Sequence, residues 1–101
     1  MERTEKDVEK YLCKKIKELG GKAYKFVSPG NAGVPDRICI IPAGDKAKVL
    51  FVEVKRPGGV LRMQQCQKLK ELRGIKAECA VVDSYERVND LIAQLRLKDG
   101  D

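Results

Sequence analysis

Histidine and tryptophan are absent from this 101-residue sequence, and the remaining aromatics are scarce: three Tyr and two Phe. Without His there is no Ser-His-Asp or Cys-His catalysis, no usual general base near neutral pH, and no commonest zinc ligand. So few aromatics exclude extended base stacking of the kind that binds single strands. No apolar run approaches the ~20 residues that a membrane span needs. Met1 to Lys10 is charged throughout and lacks the apolar stretch of a signal peptide. These absences lead to the expectation of a cytoplasmic protein with no membrane partner and no small-molecule cofactor. The four cysteines, Cys13, Cys39, Cys66 and Cys79, form no C-x-x-C pair. Without His, a zinc site would need all four in a spacing unlike any finger or ribbon. Each has apolar neighbours, which reads as reduced core thiols, with a disulfide pair as the lesser alternative.

Charge is plentiful. Lys and Arg total 21 against 15 Asp and Glu, a formal net charge of +6, and 43% of residues are hydrophobic. That balance is globular and favours a polyanionic partner. The length fits one domain over residues 1–101, burying about 65% of its unfolded surface.

Periodicity sets the element order. Thr4 is placed to cap a helix carrying Val8, Leu12, Ile16 and Leu19 at helical spacing, with Gly20-Gly21 as its stop. Residues 22–27 alternate as a strand, and 28–35 (SPGNAGVP) form a loop. Residues 37–41 are an apolar strand, 42–46 a turn, and 49–55 (VLFVEVK) a second, very apolar strand. A helix over 61–73 with Leu69 and Leu72 inward stops at Gly74, and 77–82 is a further strand. Ser84 caps a last helix whose inner face is Val88, Leu91, Ile92 and Leu95, and 97–101 reads as a frayed tail. The order is α-β-β-β-α-β-α. Near-continuous apolar strands point to an α/β sandwich whose sheet is covered on both faces.

Two places break this logic. Glu53 and Lys55 share one face of a strand that should be buried, with Val52 and Val54 opposite. Asp36 follows Pro35 and opens an apolar strand. Alone, the first pair reads as an ion pair at a strand end and Asp36 as a turn residue. Together they spell P-D, sixteen residues, then E-V-K, with both acids at the edges of adjacent strands.

This pattern resembles the PD-(D/E)XK nuclease signature. G-V-P-D-R at Gly33 to Arg37, F-V-E-V-K at Phe51 to Lys55 and L-R-M-Q-Q at Leu61 to Gln65 follow in order. The set is similar to the VRR-NUC family, the virus-type replication-repair nuclease domain, from about Glu5 to the last helix. The resemblance implies a restriction-endonuclease-like three-layer sandwich with a central mixed sheet flanked by helices. It also implies metal-dependent endonuclease cleavage of DNA phosphodiesters, and a homodimer acting on branched DNA such as four-way (Holliday) junctions. Carried over residue by residue, it makes Asp36 and Glu53 metal-binding acids and Lys55 the catalytic lysine. Gln65 is the helix glutamine, with Gln64 as a one-residue alternative and Gln67 after it. Glu5 is the first-helix acid, with Glu9 as its substitute one turn later.

Residue chemistry agrees. Hard divalent ions take oxygen ligands, so Asp36, Glu53 and the backbone carbonyl of Val54 suit Mg²⁺, with Mn²⁺ as substitute. Such an ion polarises phosphate and acidifies bound water, and Lys55 beside it can position that water. Candidate DNA contacts are Lys25, Ser28, Asn31, Arg37, Arg56 and Arg62, with Arg56 to Gly59 as a basic, mobile loop. Lys14, Lys15 and Lys17 read as solubilising surface. The alternatives are a nicking or end-processing nuclease without junction preference, and a silent nucleic-acid-binding module of the same fold.

Overall fold

A computed structural model describes residues 3–99. Along them run α1 (Glu5–Glu18), β1 (Lys22–Lys25), β2 (Arg37–Ala43), β3 (Lys46–Val54), α2 (Met63–Gly74), β4 (Glu78–Val82) and α3 (Tyr85–Asp99). This is the order read from the sequence. The strands form one sheet in the order β1-β2-β3-β4. The first three make an antiparallel meander, while β4 lies parallel to β3. The sheet is mixed because two residues, Gly44 and Asp45, suffice to reverse β2 into β3, whereas a parallel return needs a crossover, here through α2.

Helices α1 and α3 each start where a short polar side chain satisfies a free amide. Thr4 Oγ1 accepts from Asp7 N at 3.1 Å, and Asp7 Oδ2 accepts from Thr4 N at 2.9 Å, a reciprocal capping box. That bond holds the Asp7 carboxyl below its ordinary range. Ser84 Oγ likewise accepts from Arg87 N at 3.1 Å at the head of α3. Val8, Leu12 and Ile16 of α1 and Val88, Leu91, Ile92 and Leu95 of α3 then bury one sheet face, made of Ala23, Cys39, Ile41, Leu50, Val52, Val54 and Val82. Tyr11 and Tyr85 stack with centroids 4.0 Å apart, and the Tyr11 hydroxyl donates to Asn89 Oδ1 at 2.7 Å. The stack fixes the start of α3 against α1.

The other sheet face is covered unequally. α2 lies against β4 and supplies the buried Leu69. Over β1 to β3 the third layer is thin: Tyr24, Ile40 and Val49 remain exposed. Continuous apolar strands therefore do not signify full cover here, because Tyr24, Ile40 and Val49 face water.

Boundaries moved for local reasons. β1 stops at Lys25, and only Phe26 N, donating to Asp36 O at 2.8 Å, prolongs its pairing. β2 runs on through Pro42, since β1 ends opposite Ile40 and leaves no strand on that side. β3 starts at Lys46 and ends at Val54, one residue before Lys55. α2 starts at Met63 and includes Gly74; its stop is Lys76, at φ 73°, with Ala77 N bonding Leu72 O at 2.9 Å and Lys76 N bonding Arg73 O at 3.0 Å. This is a Schellman closure made without glycine. α3 continues through Asp99 instead of fraying at 97, and residues 100 and 101 lie outside the described residues. Of the four thiols, all free, Cys39 is buried and pushed up to about 12 by that burial, Cys13 and Cys79 are half-buried, and Cys66 is exposed on α2. Cys66 is thus not a core thiol: α2 turns it to solvent.

Candidate active site

The parallel pair β3–β4 ends where the helices α1 and α3 begin, and the unusual residues gather at that edge. Pro35 is fully buried and fixes the backbone entering Asp36. Asp36 is tied down twice. Its carbonyl accepts from Phe26, and its Oδ2 accepts from Val54 N at 3.0 Å. The Val54 amide therefore points at Asp36, and in an extended strand a residue's carbonyl projects to the same side as its N–H. That places the Val54 carbonyl on Asp36's side, as a metal shell would require. Lys55 N bonds Val82 O at 2.9 Å, on the opposite side, anchoring the end of the strand to β4.

Glu53 is the exceptional residue. It is 2% exposed, the one buried charged side chain among the described residues. Burying a carboxylate is costly unless it is paired. Its Oε2 has two partners, Gln65 Nε2 at 3.0 Å and Lys55 Nζ at 3.9 Å, while Oε1 has none. Desolvation, followed by repulsion from Asp36, pushes its carboxyl up to about 8, against the pull of Lys55, and Glu5 adds a weaker upward push. A buried carboxylate with a bare oxygen beside a second carboxylate is an arrangement that a cation would relieve.

Gln65 comes from the first turn of α2. Its Oε1 accepts from Arg62 N at 2.8 Å, and its Nε2 donates to Glu53. Those two partners, a donor and an acceptor, fix the orientation of the amide. The glutamine at this place is therefore Gln65 and not Gln64 or Gln67. The helix reaches the site because the loop before Asp36 lets it: a side chain at Gly33 would collide with the backbone of Gln64 and Gln65. Only glycine permits that approach.

The two first-helix acids separate. Glu9 pairs with Arg37 Nη2 at 3.4 Å, while Glu5 is the one whose charge reaches Glu53. Arg37 leaves the set of free DNA contacts. It lies on the α1 side of β2, donates from Nη1 to Ala23 O at 3.1 Å, pairs with Glu9, and keeps a buried Nε without a partner. The alternation that puts Cys39 inward puts Arg37 inward too.

The remaining candidate contacts stay at the surface. Ser28 and Asn31 are tied together in a turn: Asn31 N bonds Ser28 O at 3.1 Å and Asn31 Nδ2 donates to Ser28 Oγ at 2.9 Å. Lys25, Arg56 and Arg62 are exposed. Arg56 to Gly59 form a hydrogen-bonded turn, Gly59 N to Arg56 O at 2.8 Å, with Pro57 second and Gly58 third at φ 78°, the backbone that a type II turn demands. Arg3 is a further cation that the sequence pattern does not mark. Its guanidinium lies 3.6 Å above the Tyr85 ring, two residues from Glu5, and adds a cation to this edge. Nothing in the spacing marks it, because its partner is 82 residues away.

No group of three or more acidic or thiol ligands converges among the described residues. Any ion here would rest on Asp36, Glu53 and backbone oxygen. That donor set and the bare Oε1 of Glu53 fit a hard divalent cation.

Comparison with known proteins accords with this geometry. The profile of the VRR-NUC domain matches residues 2–86. The "Putative nuclease p44" of Acyrthosiphon pisum secondary endosymbiont phage 1 is 40% identical over 82 residues, covering 81% of this chain and 85% of its own. A solved structure of a VRR_NUC domain superposes with a TM-score of 0.79 at 30% identity, over 90% of this chain and 97% of that one.

Proposed function

The chain belongs to the VRR-NUC domain family of nucleases, and from that premise we propose a metal-dependent, structure-selective DNA endonuclease that acts as a homodimer on branched DNA such as four-way junctions. The observation that carries metal dependence is Glu53: a carboxylate 2% exposed, with one oxygen unpartnered, beside Asp36. Asp36, Glu53 and the Val54 carbonyl would hold Mg²⁺, or Mn²⁺ in its place. When bound, the ion supplies positive charge against a phosphate oxygen and an acidified water.

The chain's own residues do the rest. Lys55, its side chain only 15% exposed, holds its ammonium against the acid edge, where it can orient the attacking water and face charge developing on phosphate. Gln65 keeps Glu53 in one rotamer. Glu5 adds negative charge from the head of α1. Lys25, Ser28, Asn31, Arg56 and Arg62 would meet the backbone of the DNA, where contacts position the substrate without reading its sequence.

Two cuts on opposing strands need two sites, and a twofold pair supplies them. The bare half of the sheet supports a second copy there. Tyr24, Ile38 and Phe51 align in one row and Ile40 with Val49 in the next, an apolar patch that water covers at a cost. The test is cleavage of four-way, flap, nicked and linear DNA side by side, in Mg²⁺ and in chelator. Faster cutting of the four-way substrate, only with metal, is expected; equal rates on all four would remove junction selectivity. Sedimentation of the wild type and of Val49→Lys tests the dimer, which the variant should weaken.

A further inference from the structure

Eight large apolar side chains among the described residues are exposed. Tyr24, Ile40 and Val49 lie on the bare sheet face, Val27 just past β1 in the loop to β2, Ile75 follows the far end of α2, and Leu97 is near the end of α3. The two most exposed, Val60 at 81% and Met63 at 76%, are neither on that face nor at a chain end. Val60 stands in the segment joining β3 to α2 and Met63 is the first residue of α2, two residues before Gln65.

That segment is anchored at both ends. Lys55 N bonds Val82 O, and Gln65 bridges Arg62 N and Glu53. The Arg56–Gly59 hydrogen bond closes a turn in its first half. A valine and a methionine held out in water contribute nothing to folding. Its charge is also one-sided. From Val54 to Lys70 there is no acid; Lys55 and Lys68 pair with Glu53 and Glu71 just outside it, and Arg56, Arg62 and Lys70 have no acid partner among the described residues. A second copy would bring the same cations against these, so the surface disfavours self-association and favours a polyanion.

We infer that Val60 and Met63 form an apolar wedge that enters DNA at the branch point and unstacks the bases beside the cut, with Arg56 and Arg62 holding the phosphates on either side. Apolar side chains inserted between base steps, with cations on the flanking phosphates, are a general means of distorting DNA. Unstacking costs least where the stack is already interrupted, so the wedge converts a branch into affinity without reading sequence. This inference rests on the branched-DNA reading above and names the residues that would deliver it.

The test uses the full chain and a four-way junction carrying 2-aminopurine next to the branch point, with a matching linear duplex. Binding is followed by fluorescence in chelator and cleavage in Mg²⁺, for the wild type and for the double variant Val60→Ser, Met63→Gln. Both side chains are exposed, so the variant should melt with the wild type. The wild type should raise the 2-aminopurine signal. The variant should lose most of that rise and about tenfold of junction cleavage, while cutting nicked and linear DNA as before. An unchanged rise with an unchanged junction-to-linear ratio overturns the wedge. A variant that alters sedimentation of the free protein but keeps the full rise also overturns it, in favour of a protein contact. If the wild type cuts all substrates equally, the branched-DNA reading fails by itself. The wedge is then decided by fluorescence alone: a rise that depends on Val60 and Met63 supports it, and one that does not overturns it.

Discussion

Gln65 holds Glu53 from another element: its Nε2 donates to the buried Oε2 at 3.0 Å, while its Oε1 is occupied by the amide of Arg62. The amide couples the start of α2 to β3, and Glu53 Oε1 is left without a partner. Removing the amide should loosen the carboxylate without emptying the core. Gln65→Ala should lower cleavage by about 10–100-fold and raise the metal concentration for half-maximal rate, as loss of a ligand's supporting hydrogen bond does. Titrating the rate with Mg²⁺ checks this. An unchanged metal requirement would show that Gln65 does not position Glu53.

Glu53 also sets a pH dependence. Its carboxyl is raised from 4.5 to about 8, chiefly by desolvation and Asp36. The metal-free folded state therefore keeps a proton that the unfolded state releases. Its stabilising contribution is fully present below about pH 4.5 and is lost as pH rises through about 8. Glu53→Gln should thus melt above the wild type in chelator at high pH, and the difference should narrow toward acid pH. Added Mg²⁺ or Mn²⁺ should raise the wild-type melting temperature and leave the variant's unmoved. Parallel melting curves across this range would contradict a desolvated carboxylate.

Arginines divide by burial. Arg37 bonds Ala23 O and Glu9 in the protein, whereas Arg56 and Arg62 are exposed. Arg37→Ala should cost about 1–3 kcal/mol of stability, because it strands a strand carbonyl and an acid. It should leave the salt dependence of DNA binding unchanged. Arg56→Ala or Arg62→Ala should do the reverse: no change in melting, but a salt slope smaller by about one for each. Urea titration and affinity against salt concentration separate the two classes.

The α2 stop offers a stability test away from the site. Lys76 sits at φ 73°, a backbone conformation that suits glycine. Lys76→Gly should be neutral to stabilising by up to about 1 kcal/mol in urea, relief of strain outweighing the entropy glycine adds to the unfolded chain. A clear loss of stability would mean that the lysine side chain has a contact of its own.

Much of this was legible in the chain. Helical spacing located Val8, Leu12 and Ile16 and, in α3, Val88, Leu91, Ile92 and Leu95, because an amphipathic helix writes its buried face into its period. Asp36 and Glu53 stood out because acids in apolar strands need a reason. The illegible parts are those that depend on distance along the chain. Nothing in residues 33–41 tells whether Arg37 faces phosphate or Glu9. That is decided by packing against α1. The same packing separates Glu5 from Glu9, one turn apart. The bare half of the sheet was hidden because strands covered on one face and strands covered on two can be equally apolar. Gly74 is not the stop of α2, because a lysine can take the glycine backbone when the hydrogen bonds of a Schellman closure hold it.

The most direct test of the metal-centred account is cleavage of a four-way DNA junction in Mg²⁺ by the wild type and by Glu53→Gln. The variant keeps the shape and the Gln65 neighbour but removes the charge that the ion requires. Metal-dependent cutting by the wild type and a loss of at least about a thousandfold in the variant are expected, with DNA binding in chelator retained. Normal cleavage by Glu53→Gln would contradict the metal-centred account.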